Sequence, residues 1–234
     1  MYWQPYERER DIDPTFALIG ADHLDANEIA KLELTRAKGA LAFLKAKIGN
    51  DGMRALLAEE VRESADRTKA WVEASNGRWR SGSLELVVPG PSAKAFHGFF
   101  MHLMRDDLQM ELRAAHPDHF MNVPLGPRAE VIENVGQDDI PWFIGLEFTQ
   151  DALRFPTSWD ESYPERLGAI IRNADDVVIG SAMHEMKDAD DGMHILLTIT
   201  LPLAAPEHLV RGHLEHFAVE FSTWTRHARA AGLR

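Results

Sequence analysis

The chain has 234 residues, 45% hydrophobic and 26% charged, with a net charge of −12 and a pI near 5.3. That length allows one domain with a sizeable core, and the acidity argues against nucleic acid or an anionic membrane surface as the main partner. The absence of cysteine excludes disulfides, thiolate metal sites and a Cys nucleophile.

The first residues, Met1-Tyr2-Trp3-Gln4-Pro5-Tyr6-Glu7, have neither the basic nor the apolar region of a signal peptide. No apolar run is long enough to span a bilayer, so no membrane partner and a cytoplasmic location are expected. There is no internal repeat, P-loop or dinucleotide glycine pattern. Residues 1–24 mix aromatic and charged side chains around Pro5 and Pro14 and read as an irregular arm. Its aromatics are suited to covering a neighbouring surface, and a homodimer is consistent with that.

From Asp25 the pattern is helical, with Asp25 or Asn27 as cap, Ile29, Leu32, Leu34, Leu41 and Leu44 as apolar positions, and Gly49-Asn50-Asp51-Gly52 as the stop. A second helix runs from Met53 to about Ser64. Thr68–Ala74 and Ser83–Val88 read as strands joined across Asn76-Gly77. After the Pro89-Gly90-Pro91 break, Ser92 caps an apolar helix through Phe96, Phe99, Phe100, Leu103 and Met104. His97 and His102 lie in it, and a lone His there is assigned no role.

His116-Pro117-Asp118-His119 forms a compact polar turn, and proline biases His116 toward an extended conformation. Arg128–Asn134 and Trp142–Thr149 read as strands. Glu147 shares a face with Phe143 and Gly145 under strand alternation, so its carboxylate is either solvated or buried against a cation. A loop bearing Trp159 and Tyr163 follows, and then two strands, Val177–Met186 and Met193–Leu201, joined by Asp188-Ala189-Asp190-Asp191-Gly192. His184-Glu185-Met186-Lys187-Asp188 is a false match to H-E-x-x-H, because it lies on a strand and ends in Asp.

Pro206 hands over to a last helix ending before Gly232. On it His213, His216 and Glu220 project from one side, flanked by Phe217 and Phe221. Imidazoles and a carboxylate on a partly apolar surface need a partner, and a divalent cation suits both. Taken alone, His-x3-Glu is more often a solvated pair. The element order predicts a single α+β domain over 1–234: an arm (1–24), a helical part (25–66), a sheet with an inserted helix (67–205) and a C-terminal helix (206–231). A curved antiparallel sheet wrapped around that helix would enclose a cavity lined by His216 and Glu220.

The spacing His116-x30-Glu147 followed by His216-x3-Glu220 resembles the zinc-dependent C–C hydrolases of the 2,4-diacetylphloroglucinol hydrolase and phloretin hydrolase family. The resemblance implies a helix-grip, Bet v 1-like fold. It also implies one Zn²⁺ per chain held by His116, Glu147, His216 and Glu220 deep in an apolar cavity. It further implies metal-activated water cleaving the bond between an acyl group and a phenolic ring. His119 is the candidate for proton transfer or ring-oxygen binding, and His213 is a second candidate. Two other functions suit the same fold: a non-catalytic binder of an apolar aromatic or polyketide-like ligand, or a different metal-assisted reaction on such a ligand.

Overall fold

The computed structural model describes residues 26–105 and 108–232. The N-terminal arm and the Asp25 cap lie outside the described residues. Helix α1 (Ala26–Leu56) is broken at Gly49, whose φ of 68° and ψ of 175° no helix tolerates; this is the glycine-rich stop expected there. Two compact units follow from the chain's own contacts: α1 up to Lys47, and everything from Ile48 onward.

In the second unit, α2 (Ala58–Ser75) continues where a strand was expected. Thr68–Ala74 is helical because Ala65 and Thr68 form a buried face at helical spacing, which outweighs the strand propensity of Thr, Trp and Val. Asn76 ends α2 in the left-handed region and Gly77 follows at φ 74°. The turn signal there is real, but it closes a helix rather than a hairpin. The buried Asn173 amide ties α2 to the sheet, donating to the Ala65 carbonyl and the Thr68 hydroxyl, both at 3.1 Å.

The sheet has seven antiparallel strands in the order β1-β7-β6-β5-β4-β3-β2. They are β1 (Trp79–Val88), β2 (His119–Leu125), β3 (Arg128–Glu133), β4 (Trp142–Phe148), β5 (Glu165–Arg172), β6 (Val178–Ala189) and β7 (Gly192–Pro202). Between β1 and β2 lie α3 (Ala93–Arg105) and α4 (Gln109–Ala114). Ser92 caps α3 as expected, its hydroxyl accepting from the Ala95 amide at 3.3 Å, and Asp188 accepts from the Ala93 amide at 2.7 Å.

The C-terminal helix α5 (Glu207–Ala230) completes the fold. Its buried residues recur at i, i+3 and i+4: Leu209, His213, His216, Phe217, Glu220, Phe221, Trp224 and Ala228. With α3 it packs on one face of the sheet, burying Phe96, Phe100, Ile144, Leu197 and Trp224 in the main core. This is the helix-grip α+β architecture. Two glycines set how closely α5 approaches the β3–β4 connection. A Cβ on Gly212 would run into the Gly136 carbonyl, and one on Gly136 would run into the Leu209 backbone. Gly136 also has φ 62°. The close contact therefore needs glycine on both sides.

Candidate metal and ligand site

Strand pairing brings the first two functional side chains together. His119 opens β2 and lies opposite Glu133 at the end of β3. Directly opposed residues on antiparallel strands project to the same face, here toward α5. From α5, His216 and Glu220, one turn apart, point back at them.

The four groups meet at His119. Its Nε2 lies 3.0 Å from His216 Nε2 and 3.3 Å from both Glu133 Oε2 and Glu220 Oε1. His216 Nε2 is 3.8 Å from Glu133 Oε2. All four residues are buried. Four ligands held at about 2.0–2.1 Å around a tetrahedral cation lie about 3.3 Å from one another. His119, Glu133 and His216 offer ligand atoms within 4.8 Å of one another, close enough to share one cation, and Glu220 adds a carboxylate oxygen beside His119.

The hydrogen-bond accounting points the same way. His119 Nδ1 faces the Leu112 carbonyl of α4 at 2.9 Å. A carbonyl only accepts, so Nδ1 carries the proton. In the neutral ring, Nε2 is then a lone pair facing one imidazole nitrogen and two carboxylate oxygens. His216 Nε2 can donate to it as the Nε2–H tautomer, but the two carboxylate oxygens are acceptors facing a lone pair, and a proton or a metal at the centre relieves that clash. A backbone carbonyl fixing the tautomer from behind is also the usual support of a metal-bound histidine.

Without a metal, the proton is held tightly. Burial alone would depress the His119 pKa. The hydrogen bonds and charges of Glu133 and Glu220 outweigh burial and raise it to about 10. Burial likewise pushes Glu133 up, but the neighbouring imidazoles of His216 and His119, with the hydrogen bond from His119, hold it well below the usual carboxylate range. For Glu220 burial wins and its pKa is raised. Burial lowers His216.

The other expected ligands sit elsewhere. Glu147 is on the opposite face of β4, where its carboxylate accepts from Arg154 Nη1 at 2.7 Å and Arg172 Nε at 3.3 Å. The Arg154 hydrogen bond, with help from Arg172, lowers its pKa to about 2. Alternation explains the displacement: Trp142, Ile144, Leu146 and Phe148 of β4 face the core, so residue 147 must face away. The ligand set His116, Glu147, His216 and Glu220 therefore does not assemble.

His116 lies beside the cluster. Its ring stacks on His216, with centroids 3.7 Å apart and planes 18° apart, and its Nδ1 accepts from the Asp118 amide at 3.1 Å. With Asp118, these two rings also offer ligand atoms within 4.8 Å of one another, a second grouping that shares only His216 with the first. The stacking also holds the His216 ring in place. His119, expected to move protons, stands at the centre of the cluster. Glu133 carried no expectation, although its alternation with Ala129 and Val131 marks it as a carboxylate on a core-facing strand face.

Above the cluster lies a cavity of about 80 Å³. Phe100, Met104, Ile144, Phe148, Leu167 and Trp224 give it an apolar wall, and Glu133, His216 and Glu220 line it at one end. Trp224 and three further lining residues present buried polar atoms with no partner among the described residues: Trp224 Nε1, Asn122 Oδ1, both nitrogens of His184 and His213 Nδ1. Burial lowers the pKa of His184 to about 3 and also lowers that of His213, so both rings are neutral at pH 7. Phe217 packs edge-on against both rings, at 5.1 Å and 4.5 Å between centroids. His213, the second proton-transfer candidate, is therefore a wall residue of this cavity.

No protein-family model matches this chain, and neither does any curated protein. Similar solved structures include Ara h 8.0201 (15% identity over 65% of this chain and 99% of that one, TM-score 0.44). They also include the Zhui aromatase/cyclase from Streptomyces sp. R1128 (11% identity over 67% and 100%, TM-score 0.45). A START superfamily protein from Mycobacterium smegmatis is a third (8% identity over 66% and 99%, TM-score 0.43).

The site corrects the resemblance read from the sequence: one of the four matched residues, Glu147, is a surface ion-pair partner, and none of the similar structures named above is described as a zinc C–C hydrolase. Assignment to the acylphloroglucinol hydrolases, and C–C bond hydrolysis with it, does not stand. Among the described residues no helix is long and apolar enough to cross a membrane.

Proposed function

We propose that the chain is a metal-dependent binder of a small, flat, uncharged ligand of aromatic or polyketide type. One divalent cation, zinc by its donor set, would be held by His119, Glu133, His216 and Glu220. The observation that carries this reading is the convergence of three buried ligand atoms on a fourth, His119 Nε2, at the end of an apolar cavity.

The donor chemistry fits. Imidazole nitrogen and carboxylate oxygen are both zinc ligands, and two carboxylates neutralise the ion so that the cavity gains no net charge. The mostly apolar lining with a few polar atoms at one end suits a small ring-bearing ligand. Asn122, His184, His213 and Trp224 offer neutral hydrogen-bonding atoms, which favour hydroxyl and carbonyl substituents over carboxylate or phosphate. When bound, the cation would act as a Lewis acid on a ligand oxygen. The residues of this chain bind the ring system, exclude water through Phe100, Phe148 and Phe217, and orient the polar substituents.

A purely carrier role is the second reading, favoured by the same apolar wall and by the His119 proton that satisfies the cluster in place of a metal. Quenching of Trp224 fluorescence by hydroxylated aromatic ligands separates the two. With metal-dependent binding, chelation weakens ligand affinity at least tenfold and added zinc restores it. Affinity indifferent to chelation would favour the carrier and remove the cation from the account.

A further inference from the structure

The part of α1 ahead of the Gly49 kink carries a pattern that the cavity does not use. Ala30, Leu34, Ala37, Leu41, Leu44 and Ile48 follow one another at alternating spacings of four and three residues. That is the a/d repeat of a two-stranded coiled coil. The stripe is open to solvent: Leu34 is 54% exposed and Leu44 55%, and residues 30–40 are exposed throughout. Of residues 27–47, only Lys45, on the flank of the stripe, is buried.

Helices in proteins are held mainly by packing of their apolar face. Among the described residues nothing covers that face along nearly its whole length, and a second helix would supply the packing. The flanking charges say which one. In the heptad register set by the stripe, Glu33 takes a g position and Lys38 the e position of the next heptad. In a parallel, in-register pair of identical helices, g of one chain meets the following e of the other, bringing Glu33 against Lys38 in both directions. In an antiparallel pair e meets e and g meets g, so Lys31 and Lys38 would face lysines.

We propose that α1 is a dimerisation element: a second copy of this chain packs its Leu34–Ile48 stripe against the first as a short parallel coiled coil. Leu32 and Phe43 are equally exposed, at 47% and 61%, but lie off the stripe and take no part.

Sedimentation equilibrium of the full chain tests this, with helix content followed by circular dichroism. Wild type is expected to be a dimer. Leu44→Glu removes two buried leucines per dimer and is expected to raise the dissociation constant roughly 100-fold, whereas Leu32→Glu leaves it unchanged. Glu33→Lys and Lys38→Glu each weaken the dimer, and the double variant restores it. A monomeric wild type overturns the proposal, as does a dimer that survives Leu44→Glu or is broken equally by Leu32→Glu. Failure of the double variant to restore association overturns the parallel register. The cavity variants leave this readout unaffected, so the dimer and the metal site stand or fall separately.

Discussion

Replacing Glu133 with Gln is the sharpest perturbation of the cluster, because the amide keeps the size of the side chain and removes only its charge. The lost group lies 3.3 Å from His119 Nε2 and 3.8 Å from His216 Nε2. Loss of a group that merely supports a metal ligand typically costs 10- to 100-fold in affinity. A direct carboxylate ligand must cost more, so Glu133→Gln is expected to weaken zinc binding by at least about 100-fold, or about 2.7 kcal/mol. The metal-free protein suffers too. His119 loses one of the two carboxylates that stabilise its proton, and breaking a buried ion pair costs about 3–5 kcal/mol, less whatever deprotonation of His119 recovers. Competition against a chromophoric chelator gives the first quantity, and thermal melts with and without EDTA give the second. Glu147→Gln is the matched control and should bind zinc as wild type does. Zinc affinity within threefold of wild type in Glu133→Gln, or loss of zinc in Glu147→Gln, would refute the ligand assignment.

Gly212→Ala should push α5 off the Gly136 carbonyl, lowering stability by about 1–3 kcal/mol and zinc affinity with it, because His216 and Glu220 travel on that helix. Calorimetry and the same chelator competition read both effects. Ala182→Leu fills the cavity wall away from the cluster and should weaken ligand binding at least tenfold while leaving zinc stoichiometric; loss of zinc instead would mean the cavity and cluster are not separable as described. For pH, the folded Glu147 carboxyl titrates at about 2 against an ordinary 4.5, so its contribution is complete above about 4.5 and fades as pH falls toward about 2. Glu147→Gln should therefore be less stable than wild type at pH 6, by about 1 kcal/mol or less for so solvated a pair, with the gap closing in acid. An unchanged gap at pH 3 would show that the ion pairs are not its source.

The fold was legible where periodicity is strong. The α5 stripe, the β6–β7 hairpin and the apolar α3 all stand where their patterns place them, and together they imply a sheet wrapped on a terminal helix. Thr68–Ala74 misled because its β-branched and aromatic residues pack as a helix face against the sheet, a tertiary effect no local window contains. At the site, His216 and Glu220 were legible because one helix face fixes their relation. Their partners were not, because strand register decides them. The β2–β3 pairing sets His119 opposite Glu133, and one position of alternation sends Glu147 to the far side of β4. A match of sequence spacings cannot see which face of a sheet a residue occupies. Here the alternation of Ala129, Val131 and Glu133 was the better guide.

The most direct measurement is the coordination of zinc in the purified protein, by metal analysis together with X-ray absorption at the zinc edge. One zinc per chain, bound by two imidazole nitrogens and two carboxylate oxygens and lost in both His119→Ala and His216→Ala, is the expected result. Zinc that survives both substitutions, or a folded protein that takes up none when zinc is supplied, would contradict it.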